Sequence, residues 1–322
     1  MDVTLCLSDT GHMRSVRTVL AGGAVVVLWA SAFPAIRVAA PDLGVLGLSL
    51  ARLAVATAAL LALTPWRPVR LPARRDLPLV AACALFGMAA YQLLLNWGEL
   101  YVPAGTASII VAAAPLVSVA IAAGVFGERL TLVKLLGSGI ALAGVAVVSA
   151  SRSGLSVSGS LWIIVGAAVV QGIYHPLTKP LLQRYSGLEV ATYAMVGGTL
   201  MLLPTLPFAW HDLAAAGSSA WWSAVYLGLM PSALGFVLWG YAVARLSIAT
   251  STSLLYLVPP LAVLIAFVWL DEVPLVSELL GGLVVILGVL TLTLGDRLRG
   301  RTRSSPSART EGLGHQRAVV AG

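Results

Sequence analysis

Six side chains within long apolar stretches of the sequence are of types that bind small amphipathic molecules. Aromatic rings offer flat apolar faces, whereas indole, phenol and amide groups offer hydrogen bonds. A ring face also attracts an ammonium group. This combination suits a zwitterion with an apolar side chain. The candidates for its binding cavity are Trp29, Tyr91, Gln171, Tyr174, His175 and Tyr256.

His175 follows Gln171 by one helical turn, so the two side chains share a face of any helix that contains them. An imidazole titrates near neutral pH, and an ionisable side chain inside an apolar helix suggests a function. His175 is therefore a candidate for proton coupling. The alternative is a neutral histidine that hydrogen-bonds to a neighbouring helix, and both interpretations stay open at this stage, as do uniport and antiport.

Other chemistries lack their sequence signatures. The chain has no G-x-x-x-x-G-K-S/T motif for ATP, no H-E-x-x-H motif and no cluster of Cys and His, since it has two cysteines, Cys6 and Cys83. We predict no catalytic residues, no metal and no cofactor. An enzyme embedded in a membrane would need a charged cluster at one interface, and a receptor or assembly subunit would bind without transport. Both classes remain alternatives to a carrier.

The composition indicates how these side chains are held. Hydrophobic residues make up 59% of the chain and charged residues 10%, with a mean hydropathy of +0.94, which excludes a water-soluble globular protein. A helix needs about 20 apolar residues to cross a bilayer. Ten such stretches predict an all-α integral membrane protein. They are residues 18–36, 45–65, 78–98, 105–126, 133–150, 159–178, 189–208, 219–243, 249–270 and 276–295.

The basic residues predict the orientation. Of the 20 Lys and Arg residues, seventeen fall in segments on one side of the ten spans, Arg37 and Arg152 fall on the other side, and Arg52 lies within a span. Positive residues concentrate on the cytoplasmic side, so we place both termini there. The high isoelectric point is then a consequence of orientation, and no nucleic-acid partner is expected.

An internal repeat divides the chain. The sequence aligns with itself at an offset of 144 residues over the fourth and fifth spans, and near 142 over the first. Each half then contains five spans, and because five is odd, the second half enters the membrane in the opposite sense, which predicts inverted repeats. The matched pairs are Pro34 with Pro176, Pro115 with Pro259, Glu128 with Glu272, Gly137 with Gly281, and Gly144 with Gly288.

Three segments resemble the EamA family of the drug/metabolite transporter superfamily. They are WASAFPAIR at residues 29–37, TASIIVAAAP at residues 106–115 followed by Gly127, Glu128 and Arg129, and TSTSLLYLVPP at residues 250–260 followed by Asp271 and Glu272. Asp271 departs from the family, which commonly has a small residue there. The resemblance covers residues 18–295. It implies a ten-helix secondary carrier with a central cavity exposed in turn to each side, and many members export amino acids or related metabolites.

The predicted organisation follows from the repeat and the resemblance. Residues 1–17 form a cytoplasmic tail, 18–150 and 159–295 form the two five-helix repeats, 151–158 form an external linker, and 296–322 form a disordered basic tail. We predict a secondary transporter, an exporter of small metabolites with amino acids as the leading class, in the cytoplasmic membrane of a bacterium. Its partners are a small-molecule substrate and membrane lipids, and its oligomeric state is open.

The remaining candidate residues are predicted to act as hinges or to have structural roles. Prolines free backbone carbonyls inside spans and mark hinges, and we expect hinges at Pro34, Pro115, Pro176, Pro259 and Pro260. Arg52 is expected to be structural, either by extending to the outer headgroups or by holding an anion. Glycines two turns apart permit close helix contact. The structural set is Arg52, Glu128, Glu272, Gly137, Gly144, Gly281 and Gly288.

Overall fold

A computed structural model describes residues 3–126, 132–153, 159–245 and 255–303, and within these ranges all regular structure is helical. The α-helices are α1 Val3–Ala62, α2 Leu77–Cys83, α3 Tyr91–Glu99, α4 Ala104–Val111, α5 Ala114–Phe126, α6 Leu132–Ser153, α7 Gly159–Leu182, α8 Gly187–Leu202, α9 Leu206–Ala215, α10 Ser218–Leu227, α11 Gly235–Val243, α12 Val258–Leu270 and α13 Val276–Arg303. Single turns of 3-10 helix cover Arg74–Asp76, Leu203–Thr205 and Leu255–Leu257, and π-helical stretches cover Ala84–Ala90 and Gly228–Leu234.

The first helix consists of two arms that meet at Gly44. This glycine has φ +65° and ψ 171°, a conformation that L side chains rarely adopt. A Cβ atom at this position would also lie 2.5 Å from the carboxylate of Asp212, whose side chain could move aside, so it is the backbone conformation that requires glycine here. The kink separates the residues that the sequence predicts as the first and second spans.

Five helical stretches are long and apolar enough to cross a membrane, as judged from length and composition: Thr18–Ala62, Arg74–Glu99, Gly159–Leu182, Gly187–Ala215 and Ser218–Val243. Four shorter apolar helical stretches accompany them in the described ranges. The chain is therefore a multi-pass, all-helical membrane protein. The count of ten crossings stays a prediction.

The bounds of the helices recur along the chain at the offset of 144 residues. The π-helical stretch Ala84–Ala90 recurs as Gly228–Leu234, and α3 recurs as α11. Likewise α5 recurs as α12 with the same length, and α6 and α13 begin at equivalent positions. A π-helical stretch is rare and often occurs at functional sites, so its recurrence at one offset indicates two halves built on one plan.

Four glycines bring α6 and α13 into backbone contact. A Cβ atom added to Gly144 would lie 2.7 Å from the carbonyl oxygen of Gly281, and one added to Gly288 would lie 2.7 Å from that of Gly137. Real Cβ atoms do not approach other atoms so closely, so the two helices pack at this distance only without side chains there. The four predicted glycines thus lie in one helix interface.

Ion pairs tie the loops at two places. Arg37 pairs with Glu272 (Nε to Oε1, 3.2 Å) and donates to the carbonyl oxygens of Glu99 and Leu100, while Glu272 accepts from the backbone N–H of Ala104 (2.9 Å). Glu128, its predicted counterpart, lies outside the described residues. These contacts link the loop after α3 to the loop after α12.

The second ion pair joins Arg70 to Glu189 at the start of α8, with Nε to Oε1 at 2.7 Å and Nη2 to Oε2 at 3.1 Å. Glu189 also closes a capping box with Ser186, which fixes the first turn of α8. The hydrogen bonds that Glu189 accepts raise the pKa of the Arg70 guanidinium above its usual value. A further pair, Arg184 with Asp76, lies nearby and holds the same loops together.

Candidate functional site

A cavity of about 710 Å³, counting the part that is open to the outside, lies among helices of both halves. Five of the six predicted binding residues line it, and Tyr174 does not. The lining residues that the sequence analysis proposed are Trp29, Tyr91, Gln171, His175 and Tyr256, together with Pro115 and Pro259.

Much of the lining comes from equivalent positions of the two halves. Trp29 and Gln171 are equivalent at the offset of 142, as are Phe33 and His175. Ala112 and Tyr256 are equivalent at the offset of 144, as are Pro115 and Pro259. Equivalent backbone positions of the two halves therefore face the cavity, and they carry different side chains except at the two prolines.

The π-helical stretch Gly228–Leu234 positions Trp29. Its widened turns and Pro231, which lacks an N–H group, leave carbonyl oxygens available to side chains. The indole Nε1 donates to the carbonyl oxygen of Pro231 at 3.1 Å. The ring also packs on Phe236 and Trp239, with centroids 5.2 and 5.4 Å apart. Trp239 is 6% exposed, so it is a buried neighbour of the cavity and does not occupy the interfacial position expected of a tryptophan near the end of a span.

Arg52 points into the protein. The residue is 3% exposed, and its Nε donates to the Ser232 hydroxyl at 2.8 Å, again in the second π-helical stretch. Its Nη1 has no hydrogen-bond partner among the residues that the structure describes, and the side chain lines the cavity. The expectation that Arg52 extends to the outer headgroups is therefore wrong. Burial beside a hydroxyl partner keeps the guanidinium inside.

Within the described part of the chain, four buried polar atoms of the lining lack partners: Arg52 Nη1, Gln171 Oε1, His175 Nδ1 and the Tyr256 hydroxyl. Each unpartnered buried group costs about 1–3 kcal/mol. Gln171 and His175 do contact each other, with Nε2 and Nε2 3.4 Å apart. The cavity thus combines a cation, hydrogen-bonding groups and apolar ring faces, which a ligand with both anionic and apolar parts would satisfy.

Tyr174 packs against α-helical neighbours on another face of α7. It is 2% exposed and lies over Gly87, where any Cβ atom would overlap its ring. Its ring also meets Phe236 edge-on, with centroids 6.0 Å apart. The absence of a side chain at Gly87 makes room for this ring, so Tyr174 supports the wall of the cavity from behind.

The predicted hinge prolines have two kinds of position. Pro115 and Pro259 are each the second residue of a helix, α5 and α12, and both face the cavity. Each follows a break in the helical path, because the backbone turns at Ala112–Ala113 and forms a 3-10 turn at Leu255–Leu257. Pro34 and Pro176 lie inside α1 and α7, and Pro260 is the third residue of α12. The chain is thus interrupted where it borders the cavity.

The sequence analysis missed Arg52 as a cavity residue and Glu99 as a buried one, since its third span ends at residue 98. For Arg52 the signal was a lone charge within an apolar span. For Glu99 it was the i, i+4 and i+7 spacing of polar residues at positions 92, 96 and 99, which a helix places along one side. Among the described residues, no group of three His, Cys, Asp or Glu side chains could hold a metal ion.

Comparisons with known proteins agree on one family. The sequence profile described as "EamA-like transporter family" matches residues 16–150 and 157–294. The chain is 54% identical over 284 residues to the "Probable terminal-alkyne amino-acid exporter" of Streptantibioticus cattleyicolor, covering 88% of this chain and 96% of that protein. It is 34% identical over 278 residues to the "Uncharacterized transporter YdfC" of Bacillus subtilis, covering 86% and 90%.

Two further matches have lower sequence identity to this chain. The "Probable amino-acid metabolite efflux pump" of Salmonella typhimurium is 26% identical over 240 residues, covering 68% of this chain and 80% of that protein. A solved crystal structure superposes with a TM-score of 0.61 at 22% identity, covering 88% of this chain and 98% of that one. This last likeness shows the shared fold.

Proposed function

The chain belongs to the EamA-like transporter family, and on that premise we propose that it is a secondary transporter that exports amino acids with apolar side chains by alternating access. The observation that carries the proposal is the cavity itself. It presents the buried Arg52 guanidinium, with one nitrogen unpartnered, beside aromatic rings and apolar walls. We place the transporter in the cytoplasmic membrane of a bacterium, because several of its relatives come from bacteria.

The polar end of the cavity supports the amino-acid class. A guanidinium binds a carboxylate through charge-assisted hydrogen bonds. The N-termini of α5 and α12 border the cavity at Pro115 and Pro259, and the positive end of a helix dipole favours an anion. The rings of Trp29, Tyr91 and Tyr256 offer faces to the ammonium group and the side chain. A zwitterion therefore finds a complement for each of its parts.

The apolar part of the lining supports a compact, uncharged side chain. Phe33, Leu95, Val111 and Phe236 contribute apolar surface, and the described lining residues include no carboxylate. A relative of 54% identity is named for terminal-alkyne amino acids. A terminal alkyne is rod-shaped and apolar, so it suits such a wall. We propose propargylglycine, the amino acid with a three-carbon alkyne side chain, as the first substrate to test.

Ten crossings and inverted topology complete the proposal. The recurrence of helix bounds at the offset of 144 and the cavity lining from equivalent positions both support two halves of one plan. The asymmetric distribution of basic residues supports opposite insertion of the halves. With interrupted helices at Pro115 and Pro259, the two halves would move against each other around a fixed site.

Flux in proteoliposomes tests the proposal. Purified full-length protein is reconstituted with propargylglycine inside, and its appearance outside is followed by azide coupling to the alkyne and mass spectrometry. Saturable efflux above protein-free vesicles, together with exchange against external propargylglycine, is the expected result. Binding without flux would favour a receptor, and folded, inserted protein that neither binds nor transports would overturn the proposal.

The orientation can be tested by thiol labelling. We expect Leu71→Cys to react only from the cytoplasmic side and His211→Cys only from outside, in a chain that also carries Cys6→Ser. Both sites are accessible, since Leu71 is 90% exposed and the His211 side chain 93%. Cys83, at 1% exposure, provides the unreactive background. The reverse labelling pattern would contradict the orientation, and labelling of both sites from one side would contradict the odd number of crossings between them.

Gln171→Leu should weaken substrate binding. The Oε1 atom of Gln171 is an unpartnered acceptor in the lining, and loss of one hydrogen bond to a charged group costs about 1.5–3 kcal/mol, so we expect an apparent affinity about 10-fold or more lower. The measurement is the concentration dependence of propargylglycine exchange at matched membrane abundance.

Gln92→Leu is the matched control for this substitution. Gln92 is fully buried, also with unpartnered amide atoms, but it does not line the cavity. We expect its affinity to remain near that of the wild type. Equal loss of affinity in both variants would show that Gln171 acts through packing.

A further inference from the structure

The polar groups of the cavity lining are divided unequally between the two halves of the chain. Lining residues of the second half that carry a buried polar atom without a partner among the described residues are Gln171, His175 and Tyr256. The residues at the equivalent positions of the first half, which also line the cavity, are Trp29, Phe33 and Ala112. Apart from Arg52, the free polar groups of the lining therefore belong to the second half.

Gln171 and His175 form a hydrogen-bonded pair one turn apart on α7. The amide nitrogen Nε2 of Gln171 lies 3.4 Å from Nε2 of the His175 imidazole. An amide nitrogen only donates, so this imidazole nitrogen accepts, and the imidazole proton is then on Nδ1. The amide oxygen Oε1 of Gln171 has no partner among the described residues. The pair therefore offers a carbonyl oxygen as an acceptor, and His175 sets the orientation of that amide.

A closed ring of aromatic side chains holds the His175 imidazole. Successive ring centroids lie between 5.2 and 6.0 Å apart along the order Trp29, Trp239, His175, Tyr174, Phe236 and back to Trp29. This arrangement packs α1 against α7 and α11. The two direct neighbours of the imidazole are buried, Tyr174 at 2% and Trp239 at 6% exposure. The imidazole consequently has little freedom to turn away from Gln171.

The same packing connects the pair to the Arg52 guanidinium. The indole Nε1 of Trp29 donates to the carbonyl oxygen of Pro231 at 3.1 Å, and the Arg52 Nε donates to the hydroxyl of the next residue, Ser232, at 2.8 Å. From Trp29 the aromatic ring continues to the imidazole. One connected set of side chains therefore positions both a cation and a neutral acceptor in the lining of one cavity.

These two groups differ in which charge they can bind. The unpartnered Nη1 of Arg52 only donates, so it suits a carboxylate, and its positive charge repels an ammonium group. The Oε1 atom of Gln171 only accepts, so it suits an ammonium group. The described lining residues include no carboxylate, so an ammonium group has to bind neutral acceptors and ring faces there.

We propose that Gln171 binds the ammonium group of the substrate through Oε1, and that His175 is the positioning residue that keeps the amide in this orientation. The inference rests on the proposed function, and it divides the cavity into a carboxylate subsite at Arg52 and an ammonium subsite at Gln171. The pair then determines specificity, because it selects amino acids over carboxylic acids of the same carbon skeleton. A reversed amide would turn its NH₂ group toward the ammonium group, so residue 175 must supply an acceptor.

Three ligands with one alkyne chain test the two subsites separately. Propargylglycine carries both charged groups, its desamino analogue only the carboxylate, and its decarboxylated amine only the ammonium group. Each competes against exchange of isotope-labelled propargylglycine in proteoliposomes, followed by mass spectrometry at matched membrane abundance. Wild-type protein should bind propargylglycine about 10-fold or more tightly than the desamino acid, because the acid lacks one hydrogen bond from a charged group.

Gln171→Leu should lose this preference. We expect propargylglycine and the amine to bind about 10-fold or more weakly than to wild type, and the desamino acid to bind within about 3-fold of wild type. Arg52→Gln is the matched control with the opposite pattern, since it should weaken binding of both acids and spare the amine. If Gln171→Leu fails to insert, Gln171→Met, which also lacks the acceptor, should show the same pattern.

His175→Phe tests the positioning role, because it removes the acceptor and keeps a ring, as Phe33 does at the equivalent position. It should weaken binding of the two ligands that carry an ammonium group by about 3-fold or more and leave the desamino acid unchanged. His175→Gln should restore the preference, because its side-chain oxygen can accept from the Gln171 amide.

Several outcomes would contradict this assignment. An equal loss for all three ligands in Gln171→Leu or His175→Phe would overturn it, as would a His175→Gln variant with no more preference than His175→Phe. Wild-type exchange that the desamino acid inhibits as well as propargylglycine does would overturn this inference alone. Absence of wild-type exchange would instead overturn the proposed function.

Discussion

Arg52→Gln is expected to reduce propargylglycine export about 10- to 100-fold while leaving the protein folded. Charge-assisted hydrogen bonds to a carboxylate contribute about 1.5–3 kcal/mol, and each 1.4 kcal/mol corresponds to a factor of about ten. The Gln amide still offers a donor to Ser232, the partner of the Arg52 Nε at 2.8 Å. Among the described residues Arg52 forms its side-chain hydrogen bond with a neutral hydroxyl and not with a carboxylate, so its replacement breaks no buried ion pair.

A decarboxylated analogue of the substrate provides the control. The amine that results from removal of the carboxyl group of propargylglycine lacks the anion that Arg52 would bind. Wild-type protein should therefore prefer the amino acid, and Arg52→Gln should transport the amine as well as wild type does. Measuring both substrates in one preparation separates loss of carboxylate recognition from loss of folded protein. An equal decrease for both substrates would show that Arg52 acts on the fold.

Structural features with a simple physical cause could be predicted from the sequence. Hydropathy predicts long apolar helices because each must match the thickness of a bilayer. The repeat pairs Trp29 with Gln171 at equivalent positions of the two halves, and both line the cavity. Five of the six candidate binding residues line the cavity. The reason is that the polar groups of aromatic and amide side chains deep in apolar helices find few other sites for hydrogen bonding.

Features that depend on the path of the backbone could not be predicted from the sequence. The π-helical stretches have no signature in composition, yet the second one positions both Trp29 and Arg52 through Pro231 and Ser232. From hydropathy alone, a guanidinium near the end of a span is expected to reach the headgroups. Tyr174 was misjudged for a similar reason. Its ring lies where Gly87 leaves a space, and that contact joins α7 to a segment distant in sequence.

The largest effect on stability is expected at the interface of α6 and α13. A side chain at Gly144 would place its Cβ 2.6 Å from the backbone nitrogen of Val285 and 2.7 Å from the carbonyl oxygen of Gly281. Backbone atoms cannot move aside as a flexible side chain does, so the helices would have to separate. Overpacking of a tight interface costs about 1–3 kcal/mol per substitution, and occasionally more. We expect Gly144→Val to lower membrane abundance severely and to lower the melting temperature of what remains.

Gly139→Val is the matched control, because Gly139 lies on the same helix with nothing within 4 Å of its added Cβ. The two variants change helix propensity by the same amount, so a difference between them reports the interface alone. Thermal unfolding in detergent, followed by loss of monodisperse protein on size exclusion, measures it. If Gly144→Val proved as stable as Gly139→Val, the close approach of α6 and α13 would be contradicted.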